Sequence, residues 1–361
     1  MHFLSLALVA MAGLVTVLAD VSSHTLPILF LHGYVSNAAV ASMLQQNLST
    51  DARPFIALTA CENECSARPL QDQLRLAIAQ IRSITQNDSR FANGYVLIGH
   101  SQGGSLVRAI AAEMDDHKIH TLVSVAGNGN GLFYGPQASD ALPARGFLDV
   151  LAPIMTNKTL FDYTKYTPAE IASGKMAVDW VKLHESRPEL QAVGAGYNLY
   201  RSPVLNKWTA YNPFFPVISN LQNATGSALL AKEQARRKQN FLRLHAAHFF
   251  ASPADAGISP WQSAVLGAYE SVESLEALER DFKKLRVLPM KETPEYTGDT
   301  YGLATLDKRG GVFLHVEENV GHGCWLMDEV PYYSTVECKF KPVYERTLYA
   351  LLGPVQPACN E

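Results

Sequence analysis

Residues 93–112 read Asn-Gly-Tyr-Val-Leu-Ile-Gly-His-Ser-Gln-Gly-Gly-Ser-Leu-Val-Arg-Ala-Ile-Ala-Ala. Tyr95 to Ile98 is a short apolar run with β-branched residues, the length of a buried strand. From Ser105 to Ala112 the pattern suits a helix packed on that strand. Between them, Gly99-His100-Ser101-Gln102-Gly103 matches G-x-S-x-G in the strand-to-helix context that this motif needs. A serine on so sharp a turn has a strained backbone, and Gly99 and Gly103 remove the side chains that would collide there. The turn pushes the Ser101 hydroxyl clear of the sheet edge, and the helix N-terminus behind it favours developing negative charge. Ser101 is the candidate nucleophile.

Upstream, Leu26 to Leu31 is a predicted core strand running into His32-Gly33-Tyr34. A strand followed by His-Gly is where α/β hydrolases place a loop that donates one amide to a reacting oxygen. Gly33 permits close backbone approach, which makes the Tyr34 N–H one candidate oxyanion donor and the Gln102 N–H the second. His32, the last residue of its strand, reads as a structural hydrogen-bonder rather than a base.

A serine hydroxyl needs a base, and the base needs a carboxylate to orient it. In this fold class the chain order is serine, acid, histidine, each in a loop after a strand. Of eleven histidines, only His315 and His322 follow the start of the last predicted strand, Gly311 to Glu317. His315 lies within that strand, whereas His322 sits beyond it between Gly321 and Gly323 and is the candidate base. Asp255, in a proline-bounded turn after the strand Arg243 to Phe250, is the candidate acid. Its rivals are Asp281, on a predicted helix over 272–285, and Asp299, in a polar loop.

The remaining pattern alternates strand and helix. Residues 38–49 and 70–84 read as helices, and 55–58 and 121–126 as strands. Gly127-Asn128-Gly129-Asn130-Gly131 then forms a glycine-rich loop at the sheet edge, with neither G-x-G-x-x-G nor P-loop spacing. From 132 to 235 the alternation stops and aromatics accumulate among scattered prolines. That composition predicts a cap inserted over the sheet, its aromatics divided between a greasy substrate groove and the cap's own core. The fold class expected is α/β: a mainly parallel central sheet with a cap over the active site, in one elaborated domain over 20–361.

Lys and Arg number 30 against 34 Asp and Glu, with no basic stripe, which argues against a nucleic-acid partner. Residues 3–18 are almost wholly apolar and precede small residues, so 1–19 reads as a signal peptide. No later stretch is long and apolar enough for a transmembrane anchor. N-x-S/T sequons at Asn47, Asn87, Asn157 and Asn223 fit a secreted chain. Of five cysteines, Cys61 with Cys65 and Cys324 with Cys338 are close enough to pair, leaving Cys359 over. No C-x-x-C pair or histidine cluster has metal-ligand spacing, and no metal is predicted.

Further blocks carry a resemblance: Leu31-His32-Gly33, Gly99 to Gly104 with Arg108-Ala109, Met114 to His117, Arg237 to Arg243, Pro253 to Tyr269, Tyr301-Gly302-Leu303 and Gly321-His322. Spanning about 26 to 340, they resemble the palmitoyl-protein thioesterases, and among them the lysosomal branch often numbered second. The segment Pro260-Trp261-Gln262-Ser263, in register with Asp255, is the most specific. The resemblance implies an α/β hydrolase that cleaves fatty-acyl thioesters in the lysosome without a cofactor. By motif match it implies Ser101 as nucleophile, Asp255 as acid and His322 as base, with oxyanion donors at Tyr34 and Gln102. Extra sequence around 133–178, the tail beyond Val343 and the cysteine positions depart from that pattern. A lipase or carboxylesterase on the same fold, and a hydrolase-fold protein that only binds lipid or a partner, are the competing readings. A monomer or weak dimer is expected.

Overall fold

The apolar runs at 28–31, 95–100, 119–125 and 246–251 are buried along both faces almost throughout, as central strands of a parallel sheet with helices on either side require, whereas the edge runs at 55–57 and 312–316 are partly exposed. A computed structural model describes residues 25–50, 53–328 and 338–353; the expected leader over 1–19 and Cys359 lie outside them. The strands are β1 (Ile28–Leu31), β2 (Phe55–Ala57), β3 (Tyr95–His100), β4 (Ile119–Val125), β5 (Ala246–Ala251), β6 (Ala268–Tyr269), β7 (Val287–Leu288) and β8 (Val312–Val316). Six of them form one sheet in the order β2-β1-β3-β4-β5-β8, every pair parallel. β6 and β7 make a separate antiparallel ribbon. This is the α/β-hydrolase architecture.

Side chains along a strand alternate between faces. Leu29, Leu31, Leu97 and Phe249 accordingly join one core, with Leu106, Val107 and Ile110 of α3 (Gln102–Glu113) and Leu74, Ala77 and Ile81 of α2 (Leu70–Asn87). Ile28, Phe30, Val96, Ile98 and Phe250 point the other way, onto Leu44 and Leu48 of α1 (Ser42–Leu48) and onto Phe340 and Tyr344. Strand order reverses between β1 and β3, because β2 lies on one side of β1 and all later sheet strands lie on the other. A crevice at the carboxyl ends of strands flanking such a switch point is where open α/β sheets bind ligands.

The connection from β4 to β5 contains no strand; its only β-contact is an isolated bridge between Leu132 and Tyr200. Helices form instead, the longest being α4 (Lys175–Ser186) and α5 (Ala228–Phe241). The sequence boundary at 235 falls inside α5. This helix buries only Arg237, Asn240 and Phe241, so its polar outer face hid it from periodicity. The helix expected over 272–285 is shorter, Leu275–Asp281, followed by a 3₁₀ turn at Phe282–Lys284. Among the described residues no helix is long and apolar enough to cross a membrane.

Candidate active site

β3 runs into α3 through Ser101, whose backbone lies at φ 57° and ψ −126°. A non-glycine residue there costs roughly 1–3 kcal/mol and persists only where its surroundings enforce it. Here the Ser101 N–H donates to the Val125 carbonyl at 3.1 Å. A Cβ on Gly99 would collide with the Gly103 carbonyl, and one on Gly103 with the Leu31 carbonyl. The turn therefore closes only with glycine at both places. A Cβ on Gly33 would lie 2.9 Å from the Ser101 Cβ, so the loop after β1 sits directly against the serine.

Asp255 and His322 come together from the loops after β5 and β8. His322 Nδ1 lies 2.9 and 3.0 Å from the two Asp255 carboxylate oxygens. Asp255 is buried, and its Oδ1 also accepts the Gly257 and Ile258 N–H groups at 2.7 and 3.1 Å. These bonds orient the carboxylate at its own turn. Since the carboxylate accepts a hydrogen bond from Nδ1–H, Nε2 is the basic nitrogen of the ring. Ser252 couples the two loops, its Oγ accepting the N–H of Ala254 in one and of Val320 in the other, both at 3.1 Å. Gly257 leaves room for the imidazole, because a Cβ there would sit 2.8 Å from the His322 ring.

Ser101, His322, Tyr34 and Gln102 line one cavity of about 400 Å³, inside the usual range of about 300–1,000 Å³ for small-molecule sites. The Gln102 N–H opens α3, where helix amides have no partner within the helix. Among the described residues neither it nor the Tyr34 N–H donates to another protein group. The Gln102 side chain points away from the serine, donating to the Ser66 carbonyl at 2.9 Å and to Gln73 Oε1 at 2.8 Å. Gln73 in turn donates to the Ser66 and Arg68 carbonyls, which follow the Cys61–Cys65 disulfide.

The rest of the wall comes largely from the β4–β5 connection, including Leu132, Phe147, Leu151, Met155, Trp180 and Tyr200. The aromatics of this connection divide between the cavity wall and the packing around it. Tyr134, Phe147, Trp180 and Tyr200 face the cavity, while Phe161 and Tyr166 pack behind them and Trp208, Phe214 and Phe215 belong to the α3-side core. Asn128 also lines the cavity, which places the glycine-rich loop beside the site.

The rival residues are engaged elsewhere. His32 is buried with Nδ1 3.0 Å from the Gly33 carbonyl. His315 Nε2 lies 3.1 Å from His248 Nδ1, and its ring stacks on Phe250 at 4.2 Å. Asp281 pairs with Arg280 and Lys284, and Asp299 with Lys238. Sequence reasoning missed Ser252, Gln73 and His100. Their partners are remote in the chain, and no local pattern marks them. Both expected disulfides form, and Cys324–Cys338 joins the base loop to the C-terminal helices. Asn47, Asn87, Asn157 and Asn223 are all exposed.

The sequence profile described as palmitoyl protein thioesterase matches residues 27–322. The lysosomal thioesterase PPT2 homolog of Drosophila melanogaster is 24% identical over 83% of this chain and 86% of that protein. Lysosomal thioesterase PPT2-B of Xenopus laevis is 24% identical over 89% and 94%, and lysosomal thioesterase PPT2 of Homo sapiens 23% identical over 86% of each. A match over most of the chain, on a parallel sheet that carries a serine elbow at its switch point, decides the matter: the chain belongs to the palmitoyl protein thioesterase family.

Proposed function

We propose that the protein is a serine hydrolase that cleaves long-chain fatty-acyl thioesters, palmitoyl-coenzyme A or S-palmitoylated cysteine, through an acyl-enzyme at Ser101. The observation that carries this reading is that His322, held by Asp255, lines one largely apolar cavity with Ser101. His322 Nε2 takes the Ser101 proton while Asp255 holds the tautomer and steadies the imidazolium that forms. Ser101 Oγ attacks the acyl carbonyl, and the Tyr34 and Gln102 amides receive the charge on its oxygen. Each donor is worth about 10²–10³ in rate. The thiolate then leaves. A thiol with a pKa of about 8.5 is a far better leaving group than an alcohol, so little proton donation is needed at that step. Once the His322 imidazolium has passed its proton to the departed thiolate, the neutral ring takes a proton from water, whose hydroxide oxygen attacks the acyl-enzyme; His322 then returns that proton to the Ser101 oxygen as the fatty acid leaves.

The apolar wall accounts for an acyl chain as the bound part of the substrate, with the thiol portion directed toward solvent. The lysosomal relatives, the two disulfides and four exposed sequons support a secretory route to the lysosome, with glycans at Asn47, Asn87, Asn157 and Asn223. The region 132–235 acts as the acyl-binding cap, and the working form is a monomer or weak dimer.

The test is hydrolysis of palmitoyl-coenzyme A, an S-palmitoylated peptide and a triglyceride emulsion by wild type and Ser101→Ala. Serine-dependent turnover of the thioesters is expected. Preferential glyceride cleavage would move the protein to the lipases, and no serine-dependent turnover of any of the three would end the hydrolase reading.

A further inference from the structure

His100 occupies the variable place between Gly99 and Ser101, at the last position of β3. Its ring is buried and is absent from the cavity wall, so substrate does not reach it. It lies instead under the base. His100 Nε2 is 2.8 Å from the backbone carbonyl oxygen of His322, and the two rings pack with centroids 4.9 Å apart, tilted by 47°.

A carbonyl oxygen only accepts, so Nε2 of His100 carries the proton and Nδ1 is bare. Burial, with the neighbouring His322, holds this ring neutral, its pKa pushed down to about 3. The bond therefore persists at any pH at which His322 works as a base.

The consequence concerns how the base is held to the nucleophile. Asp255 fixes the His322 ring at Nδ1, and Ser252 fixes the loop at Val320, but both belong to the loop after β5. His100 is the neighbour of Ser101 in the chain. A bond from His100 to His322 ties the base to the nucleophile's own strand end, across one residue rather than across two strands of the sheet. We propose that His100 is a positioning residue, which sets the distance between Ser101 and His322 by donating its Nε2 proton to the His322 carbonyl. This rests on the assignment of Ser101 and His322 given above.

Two substitutions separate hydrogen bond from packing. His100→Phe keeps a ring against His322 and removes the donor. His100→Gln removes the ring and offers a side-chain N–H at similar reach. In the full-length protein, the rate of Ser101 labelling by a fluorophosphonate probe reads the activated serine without assuming a substrate, and kcat and KM on palmitoyl-coenzyme A read turnover. A misplaced catalytic group costs about 10²-fold. His100→Phe is therefore expected to slow labelling and lower kcat by about that factor with KM unchanged, and His100→Gln to restore most of both. A Phe variant that labels at the wild-type rate, or a Gln variant as slow as the Phe variant at unchanged melting temperature, overturns the proposal.

If wild type labels at Ser101 yet leaves the thioester intact, the substrate reading fails while the labelling rates still judge His100. If wild type is not labelled at Ser101, both fall together. Should the Phe variant not fold, ¹⁵N-histidine NMR of the wild type decides. A His100 signal protonated at Nε2 and not titrating between about pH 5 and 8 supports the bond; protonation at Nδ1 overturns it.

Discussion

The sheet and the cap are both densely apolar, but they are assembled differently. In the sheet, neighbouring residues divide between two cores by strict alternation, Ile28 and Phe30 to one and Leu29 and Leu31 to the other. The cap has no alternation to impose. Phe147 packs on Tyr134, Trp180 and Phe161 with ring centroids at 4.9, 5.0 and 6.2 Å. Its cluster also recruits Tyr269, Leu278 and Phe282 from beyond β5. The sheet carries the reacting groups at strand ends, where backbone hydrogen bonds set position closely. The β4–β5 connection supplies most of the cavity wall, built from large rings packed edge to face and offset-stacked. On the function proposed above, the reacting groups and the residues that would read the acyl chain then sit in different parts of the molecule.

If that division is right, Asp255→Asn strikes the sheet side alone. Loss of the tautomer control on His322 should lower kcat on a palmitoyl thioester by about 10⁴-fold, with KM little changed in steady-state assays. A large rise in KM would break the comparison. Phe147→Ala strikes the cap. It removes a ring shared by wall and cap core, and should cost about 3–5 kcal/mol in urea unfolding. It should also raise KM for long acyl chains more than for short ones across a chain-length series. Equal loss on all lengths would mean that the cap does not read the chain.

The aromatic cluster of the cap should respond to pH. Asp140 is buried and accepts a hydrogen bond from Tyr269, and burial pushes its pKa up to about 6. An unfolded aspartate titrates near 3.9, so the folded state binds this proton more tightly. The stabilisation is complete below about pH 4 and is lost as pH rises through about 6, a change of roughly 3 kcal/mol. Asp140→Asn should flatten the melting temperature over that window, since an amide does not titrate. An unchanged slope would remove Asp140 as its source. The smallest effect is expected at Gln73→Leu. Loss of its bonds to Gln102 and the Arg68 carbonyl should cost about 1–2 kcal/mol, with a modest fall in kcat from a looser Gln102. An unaltered kcat would separate that amide network from the oxyanion site.

Much of the site was legible because it is written in short segments. The G-x-S-x-G elbow, the His-Gly loop and the order of serine, acid and histidine each depend on a strand end and the few residues after it. Asp255 and His322 were picked by that logic and by resemblance, and they lie against each other. The cap boundary was not legible, because α5 wears a charged face and reads as part of an irregular region until it is packed on α3.

By itself, the sequence pointed to the mainly parallel sheet, to a serine on a strand-to-helix turn, to two candidate cysteine pairs and, through a resemblance, to the family. The first three follow from the period of apolar residues, from glycine at turns and from spacing, all of which are local; the strand order that puts the serine at the switch point came from the tertiary structure. Only the tertiary structure decided that His100 holds the His322 backbone across 222 positions, that Gln73 holds Gln102 across 29, and which cap aromatics face the cavity. Such contacts depend on how finished elements pack, and neither periodicity nor motif records which side chains will then meet.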